Sequence, residues 1–381
     1  MLYPIHADYE ISDGKAVIKI SGRDEKGNKI VFEDRNYEPH LYAIPEQDKI
    51  EEVKKRIEKL EVEHNEIIIS VKKVEIVERI DLNKKMKALK IICHLPRDAP
   101  LLKDDVRNTE GVLHKREFDI PFAKRYCLDK QINFFAPYKI ENNKFEKQEG
   151  KLYQPKVAAF DIETYAPTFD AKENKIICIG IHGKDKKSVI TWKSSNLKEA
   201  IVVKDEKEML REFFKMIGEY DILISYNGDN FDLPFLKTRS DELKLKSPIS
   251  LTKTRANFKN GLHIDLYNII AKHLRAEVKT RTKKLDDIAK FFLGEGKTDI
   301  KLFENNLGKD IWDSDEVSRI DEILKYNLQD CRITYLIGEK ILPLEYRFSN
   351  LIGVSMQDTT RSGFSQLVES YLMREVVKKG I

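Results

Sequence analysis

Val157-Ala158-Ala159-Phe160-Asp161-Ile162-Glu163-Thr164 is the stretch on which the reading of this chain turns. It is apolar on both faces as far as Phe160, as a strand covered on both sides must be, and Asp161 then interrupts it. Side chains alternate along a strand, so Asp161 and Glu163 project from the same face, a few ångströms apart. Two like charges so placed repel and lose solvation, and a bound cation is the natural compensation. The plainer alternative is a strand end whose acids face water.

Working outward, Ile176 to Gly183 and Ser188 to Trp192 read as the next two strands of an antiparallel meander. Asp205 to Ile217 reads as an amphipathic helix through Met209, Leu210, Phe213, Phe214 and Ile217, and Asp221 to Ser225 as another core strand. Helices are predicted over Asp265 to Leu274, Leu285 to Leu293, Glu316 to Ile341 and Ser362 to Lys379. Strands first and helices after fit a three-layer α/β nuclease-like sheet better than a sandwich or a bundle. Upstream, Ala16 to Ile20 and Lys29 to Phe32 flank a polar turn around Glu25 to Asn28 and open a strand meander. Ile50, Val53, Ile57 and Leu60 fall at helical spacing, and Ile67 to Val77 and Leu89 to Cys93 return to strand composition. This predicts a small α+β unit ending near Lys130. The polar stretch that follows, with two prolines among residues 137–155, places the boundaries: a first domain over 1–135, a linker over 136–155, a second domain over 156–345 and a helical segment over 346–381.

The composition bounds the function. The 381 residues hold 68 Lys+Arg against 64 Asp+Glu, a net charge of +4, which excludes an all-over cationic coat and leaves room for a local basic groove. A 41% hydrophobic content with 18 Phe and 15 Tyr argues against global disorder. No apolar run approaches the roughly 18 residues needed to span a bilayer, and the start has no basic-then-apolar signal pattern, so the chain is expected to be soluble and cytoplasmic. Cys93, Cys127, Cys178 and Cys331 are scattered singly, which indicates neither a zinc site nor a disulfide frame. The charged content of 35% suits a thermophile's surface and an AT-rich genome equally.

Further sites add to the acid pair. Tyr226-Asn227-Gly228-Asp229-Asn230-Phe231-Asp232 follows a core strand; its Asn-Gly and Asp-Asn pairs favour a tight loop with positive φ, leaving Asp232 at or near the start of a short helix through Leu233, Phe235 and Leu236. Alone, it is equally a polar turn with a capping Asp. Tyr326-Asn327-Leu328-Gln329-Asp330 sits on the long helix, where i, i+4 spacing puts phenol and carboxylate on one face, an arrangement that ordinary surface residues also give.

Taken in order, the three sites resemble the four acids and one Tyr of the DEDD exonucleases. That resemblance implies phosphodiester hydrolysis with two divalent cations, Mg²⁺ with Mn²⁺ as the alternative, one activating a water and the other stabilising the departing oxygen. It implies that Asp161 bridges both ions, that Glu163 and Asp330 hold the water-bearing ion, and that Asp232 supports the second directly or through water. Tyr326, whose phenol both donates and accepts, would orient the attacking water.

Almost the whole chain resembles the front part of an archaeal family B DNA polymerase. Asp119-Ile120-Pro121-Phe122-Ala123-Lys124-Arg125-Tyr126 is close to a signature at the end of that family's N-terminal domain, and Ser355 to Gly363 resembles the stretch leading towards the palm. The fold implied is α/β: an α+β N-terminal domain plus a ribonuclease H-like three-layer exonuclease domain. The function implied is 3′-to-5′ proofreading, with Asn227 and Phe231 on the 3′ end of the strand being removed. The partners implied are single-stranded or primer-template DNA, and a polymerase portion of palm, fingers and thumb in cis or in trans, through which a sliding clamp is also within reach. With that portion absent, the chain by itself is expected not to polymerise.

The same resemblance implies a pocket for template uracil at Tyr9, Pro39, Phe122 and Arg125, although Ala99 stands where a larger aliphatic is usual and His40 where an aromatic is common. Core packing and a surface ion pair are the alternative reading of those residues. Phe364, Leu367, Val368, Tyr371, Leu372 and Val376 form an apolar stripe on the last helix, expected to dock the polymerase portion. The basic stretch Lys272 to Lys284 either tracks DNA phosphates or is a solvated link between helices. The rival to an exonuclease is a non-catalytic DNA-binding scaffold, and a ribonuclease on the same fold is the third reading.

Overall fold

The computed structural model describes residues 1–81, 84–142, 144–166, 170–251, 256–258, 261–296 and 307–379. They fall into two units: Met1–Leu152 with Ser349–Ser355 and Val368–Ile381, and Tyr153–Phe348 with Met356–Leu367.

The first unit begins with an antiparallel meander of β1 (Tyr3–Ser12), β2 (Lys15–Arg23) and β3 (Lys29–Asp34). Then come β4 (His40–Pro45), α1 (Ile50–Ile57), β5 (Glu61–His64), β6 (Ile67–Asp81), β7 (Lys84–Cys93), α2 (Asp98–Asn108) and β8 (Val112–Arg116). The strands among them form a sheet in the order β5-β6-β7-β4-β8. Helix α1 buries Ile50, Val53 and Ile57 against this sheet, as the spacing predicts, whereas Leu60 lies past its end. The unit continues with α3 (Phe122–Asp129) and the hairpin of β9 (Tyr138–Glu141) and β10 (Lys144–Lys147).

The second unit is built on β11 (Val157–Thr164), β12 (Ile176–Gly183), β13 (Lys187–Thr191), β14 (Ala200–Val202), α4 (Glu206–Ile217), β15 (Ile222–Ser225) and α5 (Asp232–Glu242). After these come β16 (Ile249–Leu251), β17 (Ala256–Phe258), β18 (Leu262–Asp265), α6 (Leu266–Lys272), α7 (Leu285–Leu293), α8 (Leu307–Asp313), α9 (Val317–Ile352), which belongs to the first unit from Ser349, α10 (Met356–Arg361) and α11 (Phe364–Lys378), which belongs to the first unit from Val368. The main sheet runs β14-β13-β12-β11-β15-β18, antiparallel across β11, β12 and β13 and parallel from β11 through β15 to β18.

Phe160 and Ile162 pack with Met209, Leu210 and Phe213 of α4 and Leu233 and Leu236 of α5 on one face. Val189 of β13 packs with Ile311 and Trp312 of α8 and Ile323 and Leu324 of α9 on the other. These are the predicted three layers. Because Phe160 and Ile162 face α4 and α5, the alternation turns Asp161 and Glu163 to the side of α9. Among the described residues no helix is long and apolar enough to cross a membrane.

Candidate metal centre and active site

Asp161 and Glu163 come from the end of β11 and Asp330 from α9, and one ligand oxygen from each lies within 4.8 Å of the others. Asp330 is buried and the other two are half-buried. Gathering like charges out of water is unfavourable unless something positive offsets them. The donor set is entirely oxygen, which suits a hard divalent cation. Two thiols adjoin it, but burial pushes Cys178 and Cys331 well up, and the nearby carboxylates of Glu163 and Asp161 push the same way, so the sulfurs stay protonated and poor ligands.

Asp232 is not part of that group. It opens α5, 3% exposed, and its Oδ1 accepts the Ile162 N–H at 3.2 Å, so it lies against the strand between Asp161 and Glu163. Burial, reinforced by the charge of Asp265, pushes its carboxyl up to about 7. The loop before it adopts the expected positive φ at Asn227, +67°, a conformation that Asn tolerates. Gly228 serves a different purpose: a Cβ there would lie 2.1 Å from Ser225 Oγ and 3.3 Å from Asp232 Oδ2, so the bare backbone lets the loop close on the strand. Phe231 is half-buried at the entrance to α5, its ring 5.5 Å from that of Phe235. Tyr326 is half-buried on α9, one turn before Asp330.

Residues 113–288 match the sequence profile of the DNA polymerase family B exonuclease domain. The chain carries a family B DNA polymerase exonuclease domain. It is similar to the DNA polymerases of Pyrococcus glycovorans and Thermococcus gorgonarius, each 32% identical over 98% of this chain and 47% of that protein. The chain thus spans less than half the length of these relatives. It also resembles the solved family B DNA polymerase of Pyrobaculum calidifontis, at a TM-score of 0.82 and 22% identity, over 100% of this chain and 50% of that one, which speaks for the fold. The profile match covers Asp161, Glu163 and the Asp232 loop and ends before α9, so Asp330 joins the carboxylate cluster by its geometry.

Several residues of the second unit that sequence reasoning did not single out hold this site in place. Asp265, at the end of β18, accepts the backbone N–H of Asn227 at 2.7 Å and of Asp229 at 3.1 Å, and caps α6 through the Tyr267 N–H at 3.0 Å. Arg361 of α10 grips Asp229 with Nη2 to Oδ1 at 2.7 Å and Nε to Oδ2 at 3.2 Å. Burial pushes Asp229 up, but His263 and Arg361 outweigh it and hold the carboxyl down at about 2. Asn327 donates from Nδ2 to Asp161 Oδ2 at 3.0 Å. Only Asn327 left a signal in the sequence, three residues before Asp330 and therefore on the same helical face.

In the first unit Tyr9, Pro39, Phe122 and Arg125 line one cavity of about 330 Å³, with Ala99 and His40 also in its wall. Tyr9 and Phe122 meet edge to face at 5.4 Å, and Arg125, 7% exposed, pairs with Glu117. Burial, with the charge of Arg125, drops His40 to about 3, so it is neutral at pH 7. The basic stretch forms the α6–α7 connection, with Arg275, Lys279, Arg281 and Lys284 exposed and the Tyr226 hydroxyl donating to the Lys283 carbonyl. On α11, Phe364, Val368, Tyr371, Leu372 and Val376 are exposed and Leu367 is buried.

Proposed function

We propose that the Asp161 site is a proofreading 3′-to-5′ DNA exonuclease, which hydrolyses the terminal phosphodiester of single-stranded or frayed DNA and releases nucleoside monophosphates. One observation carries the reading: Asp161, Glu163 and Asp330 converge within 4.8 Å in a domain of this family. These carboxylates would hold Mg²⁺ or Mn²⁺, with Asp232 completing a two-ion site directly or through water. Bound there, the cations supply a nucleophilic water at neutral pH and stabilise charge on the leaving oxygen. The chain's own part is to bind and orient. Tyr326 orients the attacking water, Asn227 contacts the strand end, and Phe231 packs against the terminal base, a contact that tolerates any sequence. Water adds to the phosphorus, the bond to the neighbouring 3′ oxygen breaks, and that oxygen leaves as a new 3′ hydroxyl.

With a 5′-labelled oligonucleotide and Mg²⁺, the chain should produce a ladder shortened from the 3′ end, stopped by chelator and by Asp161→Ala. Binding without shortening in either Mg²⁺ or Mn²⁺ overturns this in favour of the DNA-holding scaffold.

The relatives are named DNA polymerases, and the matched part is less than half of each. We therefore take the exonuclease to work beside a polymerising portion, in cis or in trans, which meets the exposed α11 residues Val368, Leu372 and Val376 and brings any sliding clamp with it. We take residues 136–155, whose β9–β10 hairpin lies in the first unit, to lead from one domain to the next, and the cytoplasm is the proposed location.

A second reading concerns the first unit, favoured by the meeting of Tyr9, Pro39, Phe122 and Arg125 in one cavity. We propose that it receives a template uracil. Single-stranded DNA with one uracil should bind more tightly than the thymine version, and Phe122→Ala should erase the difference. Equal binding of both by the wild type overturns the reading.

A further inference from the structure

Asn327 stands out among the polar groups of the second unit. It is fully buried on α9 and spends one of its two amide groups on Asp161, with Nδ2 donating to Oδ2 at 3.0 Å. Its other group, Oδ1, is buried with no hydrogen-bond partner. A buried acceptor left unsatisfied is destabilising, whereas an apolar side chain of the same shape would incur no such penalty. Packing alone therefore gives no reason for an amide at this position.

Gly180 explains how the amide gets there. It lies on β12 directly opposite Asp161 in the strand pairing, and so on the same face of the sheet. A Cβ at Gly180 would sit 2.2 Å from Asn327 Oδ1 and 2.6 Å from Cys331 Sγ. Its φ is not among the positive ones, so this glycine answers a close approach rather than a backbone conformation. The missing side chain gives α9 room to press Asn327 against the strand and Asp161.

We propose that Asn327 is a positioning residue for the exonuclease site: its amide fixes the Asp161 carboxylate in the orientation that receives a cation, and the bare backbone of Gly180 lets it do so. The proposal rests on the nuclease reading of the carboxylate cluster. Outer partners of this kind fix the rotamer of a ligand, and their loss typically weakens metal binding about 10–100-fold.

Mn²⁺ titration of the intact chain, followed by the electron paramagnetic resonance signal of free Mn²⁺, tests this alongside thermal unfolding. Wild type should bind Mn²⁺ and Asp161→Ala should lose it. Asn327→Leu should bind Mn²⁺ about 10–100-fold more weakly while unfolding at the same temperature or higher, because the unsatisfied oxygen is gone. Gly180→Ala should weaken Mn²⁺ binding in the wild-type background and add nothing to Asn327→Ala. If Gly180→Ala does not fold, the two Asn327 variants decide. Asn327→Leu that binds Mn²⁺ like the wild type, or loses stability and affinity together, overturns the positioning role and leaves the nuclease reading standing. A wild type that fails to bind Mn²⁺ removes both.

Discussion

Two clusters of charge in the second unit, one buried and one partly so, are built on opposite principles. Glu206 of α4 and Arg239 of α5, 6% and 7% exposed, meet in a fork with Oε1 to Nε at 2.8 Å and Oε2 to Nη2 at 2.6 Å. Glu206 also accepts the Ile176 N–H at 2.9 Å, and Arg239 Nη1 donates to the Lys172 carbonyl at 2.7 Å. Each charge faces its opposite, and the pair ties two helices to the start of β12. Asp161, Glu163 and Asp330 do the reverse, setting like charges within 4.8 Å of each other. The first arrangement is a fastener, while the second, on the proposed reading, would gain its balance from an ion. Buried charge by itself therefore says little about function; the sign of its neighbours says a great deal.

Single substitutions at the two places should separate cleanly. Asp161→Ala should reduce 3′-end shortening to background, a loss of about 10³-fold or more, equivalent to about 4 kcal/mol in the barrier, with the unfolding temperature little changed. Arg239→Ala should leave the Glu206 charge buried and unpaired and lower stability by about 3–5 kcal/mol, read as a large drop in the unfolding temperature, while Mn²⁺ affinity at low temperature stays near wild type. Loss of stability from Asp161→Ala, or of Mn²⁺ affinity alone from Arg239→Ala, would break the contrast.

The same contrast marks what could be read in advance. The strand of Asp161 and Glu163 was legible because a run apolar on both faces has few other uses, and period-two alternation then assigns the face. Helix α9 was legible from its repeat but not its end: Pro343 is a stop signal, yet the helix continues to Ile352. Tertiary bonds beyond the proline hold it, with Glu345 accepting from His273 Nδ1 at 2.8 Å and the Asn350 amide donating to the Phe134 carbonyl at 2.7 Å. Asp265, His263 and Arg361 stayed hidden for a related reason. Strand β18 has four residues, too few for a pattern, and Arg361 finds Asp229 across 132 positions of chain. Site acids can announce themselves by spacing. The partners that aim them come from wherever the fold delivers them.

A smaller effect sharpens the comparison on the substrate side. Phe231→Ala should remove the proposed stacking on the terminal base and weaken single-stranded DNA binding by about 1–3 kcal/mol, or roughly 5–150-fold in KM, with kcat and Mn²⁺ affinity largely kept. An equal fall in kcat would mean instead that Phe231, at the entrance to α5, acts by holding Asp232 in place.

A pH dependence tests the comparison from the other side, and Asp232 carries it because it belongs to neither arrangement outright. Its carboxyl is pushed up to about 7 in the folded chain, chiefly by burial, against about 3.9 when unfolded. Between those values the folded chain holds a proton that the unfolded chain has released, so stability falls as pH rises from about 4 to 7 and levels off above. Asp232→Asn keeps an acceptor for the Ile162 N–H and cannot ionise. In metal-free buffer its unfolding temperature should match wild type near pH 4 and exceed it by a margin that grows as pH rises to 7. Saturating Mn²⁺ should close that gap, because a bound cation favours the ionised carboxylate and displaces its proton. A gap that is constant with pH, or that Mn²⁺ leaves open, would place Asp232 with the fastener rather than with the ion site.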